Sequence, residues 1–234
     1  MVAISDGKIL SRAFGEFGSP ALIVSNMQNG IVSRGVNKQR VLPTIRALVN
    51  TAHKTGIPVV FSQYHRLPLK WLELGLKDVL LDGEADELTG GMRLGSSEGK
   101  IVSSLRPDET DLILPCHTPS LFVDTPLEHV LRNYGADTII LVGATTHMSI
   151  LLTARHAIMR GFAVVLVEDA IDYAQEDAHQ RAMRFLHQAC DVLPASEVTA
   201  RLQRNDEMER LPTPLLGLRL RSSDPMDLDP SSSF

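Results

Sequence analysis

Two cysteines in 234 residues are too few for a disulfide framework or a zinc knuckle. That scarcity points to a reduced compartment, and we expect a cytoplasmic protein. The opening stretch MVAISDGKILSRAF lacks an apolar core long enough for a signal peptide. No apolar run approaches membrane-spanning length. No cluster of Lys and Arg offsets the net charge of −5, which argues against a nucleic-acid or anionic-membrane surface. Internal repeats are missing too. So are the common fingerprints: no G-x-G-x-x-G for a dinucleotide, no G-x-x-x-x-G-K-[ST] for phosphate, and no G-x-S-x-G ahead of a helix. The eight histidines include no H-E-x-x-H pair. No cofactor is therefore expected. What remains is ordinary: 44% apolar and 22% charged residues, in a chain long enough for one α/β domain with a full core.

The chain is organised around Asp137 to Arg160. Ile139 to Val142 form a short apolar run that suits a strand buried on both faces. Gly143 and three small residues follow. Ser149 to Met159 then reads as a helix, stopped by Gly161. Further strands are expected at Ala21–Val24, Pro58–Ser62, Asp111–Leu114, Ala163–Val167 and, briefly, Asp191–Leu193. Helices are expected from Val41 to Lys54, from Thr125-Pro126 to Gly135, and up to about Ala189. Thr125 supplies a cap hydroxyl for the second of these, and Asp172 with Gln175 resembles a capping box for the third. Strands alternating with helices imply an α/β protein: three layers, α/β/α, around a mostly parallel sheet of about six strands. Residues 1–203 would form the single domain. Residues 204–234, with four prolines and a serine run, read as a disordered or arm-like extension.

Parallel sheets place their ligand crevice at the carboxyl ends of the strands. Asn26, Cys116 and Ser149 each follow a strand end, with Gln28, His65 and His147 nearby. Each alone has an ordinary structural explanation: a turn-forming Asn, an inert buried Cys, an N-capping Ser. The other helical histidines, His53, His129, His156, His179 and His187, read as solvated.

Three blocks taken together are more specific. ALIVSNMQNGIV, LRPDETDLILPCHTPSLFVDTPLEHVLRNYGADTIILVG and GATTHMSILLTARHAIMRGFAVVLVEDA resemble, in order, the three motifs of the isochorismatase-like cysteine hydrolases. The resemblance spans roughly Pro20 to Leu193 and implies that family's fold and small-molecule crevice. It also implies catalytic positions, an Asp-Lys-Cys triad in which Cys attacks a carbonyl and Asp takes its proton. Those positions fall on Asn26, Cys116 and Ser149, so all three would be substituted. A cis peptide is implied at Ala144–Thr145, and pocket contacts at Gln28, His65, Trp71, Phe122 and His147. The Asp-x-His metal pattern of the family's nicotinamidases is broken by Gln63 ahead of His65, so no metal is implied.

Two readings stay open. One is a hydrolase with rearranged chemistry, using Cys116 or Ser149 with His147 or His65 as base. It predicts a Cys116 that alkylates faster than Cys190. The other is a non-catalytic protein that binds a small molecule in the retained pocket. Family members assemble as dimers or tetramers. The apolar residues Leu67, Leu69, Trp71, Leu72, Leu74 and Leu76 would otherwise form a large exposed patch, so a homo-oligomer is expected.

Overall fold

The computed structural model describes residues 18–66 and 92–209, the side chains of 205–209 excepted. Six strands form one sheet: β1 (Pro20–Ser25), β2 (Val59–Tyr64), β3 (Leu112–Cys116), β4 (Thr138–Ala144), β5 (Ala163–Asp172) and β6 (Asp191–Leu193). They lie in the order β3-β2-β1-β4-β5-β6, and every pairing is parallel. The helices are α1 (Asn29–Val32), α2 (Lys38–Lys54), α3 (Leu127–Tyr134), α4 (Leu151–Met159), α5 (Glu176–Ala189) and α6 (Ala195–Glu209).

Alternation along the strands decides the layers. Leu22, Val24, Ile140 and Val142 face one side, where α2 contributes Val41, Ile45, Leu48 and Val49 and α6 contributes Val198 and Leu202. Ala21, Ile23, Ile139 and Leu141 face the other, against Leu127 and Leu131 of α3, Ala154 and Ala157 of α4, and Met183 and Leu186 of α5. Each fully buried aliphatic side chain contributes about 1.5–3 kcal/mol, so two such faces hold the central strands firmly. Strand order reverses between β1 and β4, the point at which open parallel sheets generally place their ligand sites.

Helices α3 and α4 stop as the sequence indicates, at Gly135 and Gly161, both with φ of +82°. Three features differ from expectation. β5 runs on past Val167 to Asp172, because Glu168 to Ala170 bulge out and the pairing resumes at Ile171 opposite Gly143. Asp172 makes no capping box; it is buried, and its Oδ1 accepts the backbone N–H groups of Asn37 and Tyr173, each at 2.9 Å. Helix α6 was not anticipated, since Val198 and Leu202 make only a thin apolar stripe. It is docked by Asp169 Oδ1, which accepts the N–H of Ala195 at 2.8 Å. It continues through Glu209, past the expected start of the extension at 204, and the rest of that segment lies outside the described residues.

Candidate functional site

The candidate site is built where β1 and β4 end. Leaving β1, the backbone turns sharply at Asn26 (φ +50°), a left-handed conformation that asparagine tolerates better than most residues. Its N–H donates to Ser62 Oγ at 2.9 Å, and Ser62 Oγ–H donates back to Asn26 Oδ1 at 2.7 Å. Ser62 thereby fixes the amide at the end of β2. Cys116, at the end of β3, directs its thiol to the same Oδ1 at 3.9 Å, a weak contact. On the other side Asn26 Nδ2 donates to Ser149 Oγ at 2.5 Å.

Beyond β4 the Ala144–Thr145 peptide is cis. A wide π-helical turn, Thr146–Ile150, follows and leads directly into α4; Ile150 N–H reaches the carbonyl of Thr145, five residues back, at 3.2 Å. The turn carries Ser149 over the strand ends. Its hydroxyl donates to the carbonyl of Pro119 at 2.8 Å. That bond settles the direction of the whole network. With its only proton on a carbonyl, Ser149 must accept from position 26, so Nδ2 faces it and Oδ1 faces Ser62 and Cys116. Asn26, Cys116 and Ser149 are 5%, 1% and 2% exposed, so the network is buried as well as neutral. Burial pushes the Cys116 thiol up to about 12. Cys190 is likewise pushed up to about 12, by burial and then by Asp191, which removes the reason for Cys116 to alkylate first.

The remaining residues fall into different places. Gln28 is fully buried; its Nε2 donates to the carbonyls of Tyr64 (2.9 Å) and Gly99 (2.7 Å), and its Oε1 accepts the N–H of Tyr64 at 2.8 Å. Its side chain ties β2 to the segment 97–101 and has little left for a ligand. Phe122 packs on Phe162, centroids 5.8 Å apart, within the core. His65 is buried beside the end of β2, its Nδ1 without a hydrogen-bond partner among the described residues. Burial, and then His117, lower its pKa. His147, on the π turn, also has a buried Nδ1 without such a partner, and burial followed by Arg181 lowers its pKa. Neither imidazole is a hydrogen-bond partner of Cys116 Sγ or Ser149 Oγ. Trp71 and the apolar residues from Leu67 to Leu76 lie outside the described residues.

Three histidines expected in solvent are instead engaged and half-buried. His156 Nδ1 lies 2.7 Å from Ser120 Oγ, and His179 Nδ1 lies 2.8 Å from Thr146 Oγ1, which also donates to the carbonyl of Asp172. His53 lies between Asp111 (2.8 Å) and Asp108 (3.4 Å), pinning the end of α2 to the start of β3. These three are the group, among the described residues, whose donor atoms come within metal-ligand reach, but both ring nitrogens already face carboxylates. Ser62 and the Pro119 carbonyl were missed by sequence reasoning. Ser62 carried a signal: it ends the run PVVFS as Asn26 follows ALIVS.

An all-parallel sheet of six strands with helices on both faces, and polar side chains meeting at its switch point, defines a three-layer α/β protein. The isochorismatase domain model matches residues 20–197, and the chain belongs to that family. It is 29% identical over 174 residues to isochorismatase of Bacillus subtilis (strain 168), a match covering 72% of this chain and 53% of that protein. The chain thus spans about half the length of that relative. It is 28% identical over 167 residues to nicotinamidase 3 of Arabidopsis thaliana, covering 70% of this chain and 78% of that one. Among solved structures, a cysteine hydrolase from Pseudomonas syringae pv. phaseolicola 1448A superposes with a TM-score of 0.70 at 20% identity. That superposition covers 80% of this chain and 93% of the other, and it bears on the fold alone.

Proposed function

We propose that this chain keeps the small-molecule crevice of its family but has lost the Asp-Lys-Cys chemistry, and that it binds a small polar molecule at the strand ends without hydrolysing it. On this reading Asn26, Cys116 and Ser149 stand at the positions of the acid, the lysine and the thiol. The observation that carries it is the hydrogen bonding of Ser149, whose proton goes to the Pro119 carbonyl while Asn26 donates to its oxygen. A nucleophilic hydroxyl needs a base as its acceptor, and an amide carbonyl is not one. Asn26 cannot take a proton, and the Cys116 thiol stays protonated at neutral pH. A rearranged hydrolase built on Cys116 or Ser149 is correspondingly disfavoured. Assembly as a homo-oligomer belongs to the same proposal.

The test is turnover. Purified protein should not hydrolyse nicotinamide, an N-carbamoyl amino acid or isochorismate. Ser149→Cys and Asn26→Asp should each fail to restore activity. The triple variant Asn26→Asp, Cys116→Lys, Ser149→Cys should show fast iodoacetamide labelling at position 149, since strand ends and turn are already in place. Wild-type turnover that is abolished by Asn26→Ala would overturn the proposal.

A further inference from the structure

On the far side of the π turn, a cleft of about 360 Å³ opens between the first turn of α2, the bulge of β5 and α5. Arg40, Glu168, Asp169, His179, Met183 and His187 line it. Arg40 and Glu168 are both exposed, of opposite charge, and share this cleft, yet neither has an ion-pair partner among the described residues. Asp169 is different, because its Oδ1 is occupied by the N–H of Ala195. Met183 is 8% exposed and supplies an apolar floor. His179 forms one wall; its ring stacks on Tyr173 with centroids 4.0 Å apart, and its Nδ1 is held by Thr146.

A guanidinium and a carboxylate that line one cleft without meeting offer a pair of opposite charges to whatever enters it. A ligand with one carboxylate and one ammonium satisfies both at once, the carboxylate bidentate on the guanidinium. The volume lies in the range of small-molecule sites and suits a single amino acid. We propose that this cleft is a second ligand site, which takes a zwitterionic α-amino acid with its carboxylate on Arg40, its ammonium on Glu168 and its side chain over Met183. The site is separate from the Asn26 network and does not depend on the reading of that network. The two adjoin through His179 and Thr146, at the start of the turn that carries Ser149.

The experiment is calorimetric titration of the full chain with L-norleucine, hexanoate and hexylamine, paired with histidine ring NMR. Norleucine should bind, with hexanoate and hexylamine each weaker by about tenfold, the usual value of one charge-assisted hydrogen bond. Arg40→Gln and Glu168→Gln should each weaken norleucine by about tenfold, and Arg40→Lys by less. Ring signals of His179 and His187 should move on addition of norleucine. Both charged residues are exposed, so the variants should keep the wild-type unfolding midpoint, which is to be measured alongside. Equal affinity for norleucine and hexanoate would make this a simple anion site and overturn the proposal. So would unchanged norleucine affinity in both glutamine variants, or the absence of heat and of ring shifts at millimolar norleucine.

Discussion

Asn26 offers one donor group and one acceptor, and each meets its complement in a buried site. An aspartate there loses the donor to Ser149 and brings in a charge with no cation among its partners. Burial should raise the pKa of that carboxyl. Asn26→Asp should therefore lose about 2–3 kcal/mol of stability at neutral pH. The sign with pH follows from linkage. A folded pKa above the unfolded one means the folded state binds more protons between the two, so the deficit shrinks as pH falls toward about 4. Urea midpoints at pH 7 and pH 4.5 check this; an equal deficit at both would rule out charge as the cause. Adding Cys116→Lys should recover part of the loss, with a coupling of about 1 kcal/mol or more in the double-mutant cycle. The thiols give a second test. With both near 12, native alkylation of Cys116 and Cys190 should be slow and climb about tenfold per pH unit through pH 9. Mass spectrometry that finds a plateau below that pH for either cysteine would contradict it.

At the level of elements, β4 can lie against β1 only because residue 143 is glycine. Its φ is +117°, and a Cβ there would sit 2.2 Å from the carbonyl oxygen of Ser25. The obstacle is backbone of the neighbouring central strand, which cannot step aside as a flexible side chain would. Gly143→Ala should cost about 3 kcal/mol or more, since it combines a strained φ with a backbone clash. Gly95, also at positive φ (+84°), meets nothing within 4 Å and serves as the control: its alanine variant should lose only the φ term, about 1 kcal/mol. Denaturant unfolding of the two variants makes the comparison. The π turn depends on attachments outside itself, to Asp172 and His179. That is why a helix expected to begin at Ser149 is preceded by a turn that starts at Thr146.

Across the whole molecule, His65, His147 and His179 share a direction: burial lowers the pKa of each. Unfolding releases them to ordinary values near about 6.5, so between the folded and unfolded pKa values the unfolded chain binds more protons. Stability should be full above about pH 6.5 and fall as the solution is acidified from there toward pH 5. Thermal midpoints across that range check it, and His179→Gln should flatten the fall. For assembly, light scattering at micromolar concentration should report a multiple of the 25.7 kDa chain mass; a particle of that mass alone would remove the homo-oligomer from the proposal.

Sequence by itself determined the sheet and its covering. The apolar runs at Ala21, Pro58, Asp111, Ile139 and Ala163 are local signals of buried parallel strands, and Gly135 and Gly161 are local signals of helix ends, so each could be read within a few residues. It also determined which side chains would stand after the strand ends, because that position is a matter of order along the chain. The direction of the Asn26 amide was decided only by tertiary structure, since it depends on Pro119 and Ser62, residues far away in sequence whose bonds exist only once β1, β2, β3 and β4 lie side by side. The same holds for Asp172, which read as a cap from its neighbours but is buried to hold the segment before α2. His53, His156 and His179 read as solvated because a histidine on a helix gives no sign of what packs against it. Their partners, Asp111, Ser120 and Thr146, arrive from other elements. Hydrogen bonds between distant residues leave no periodicity in a sequence, and the candidate site is made of them.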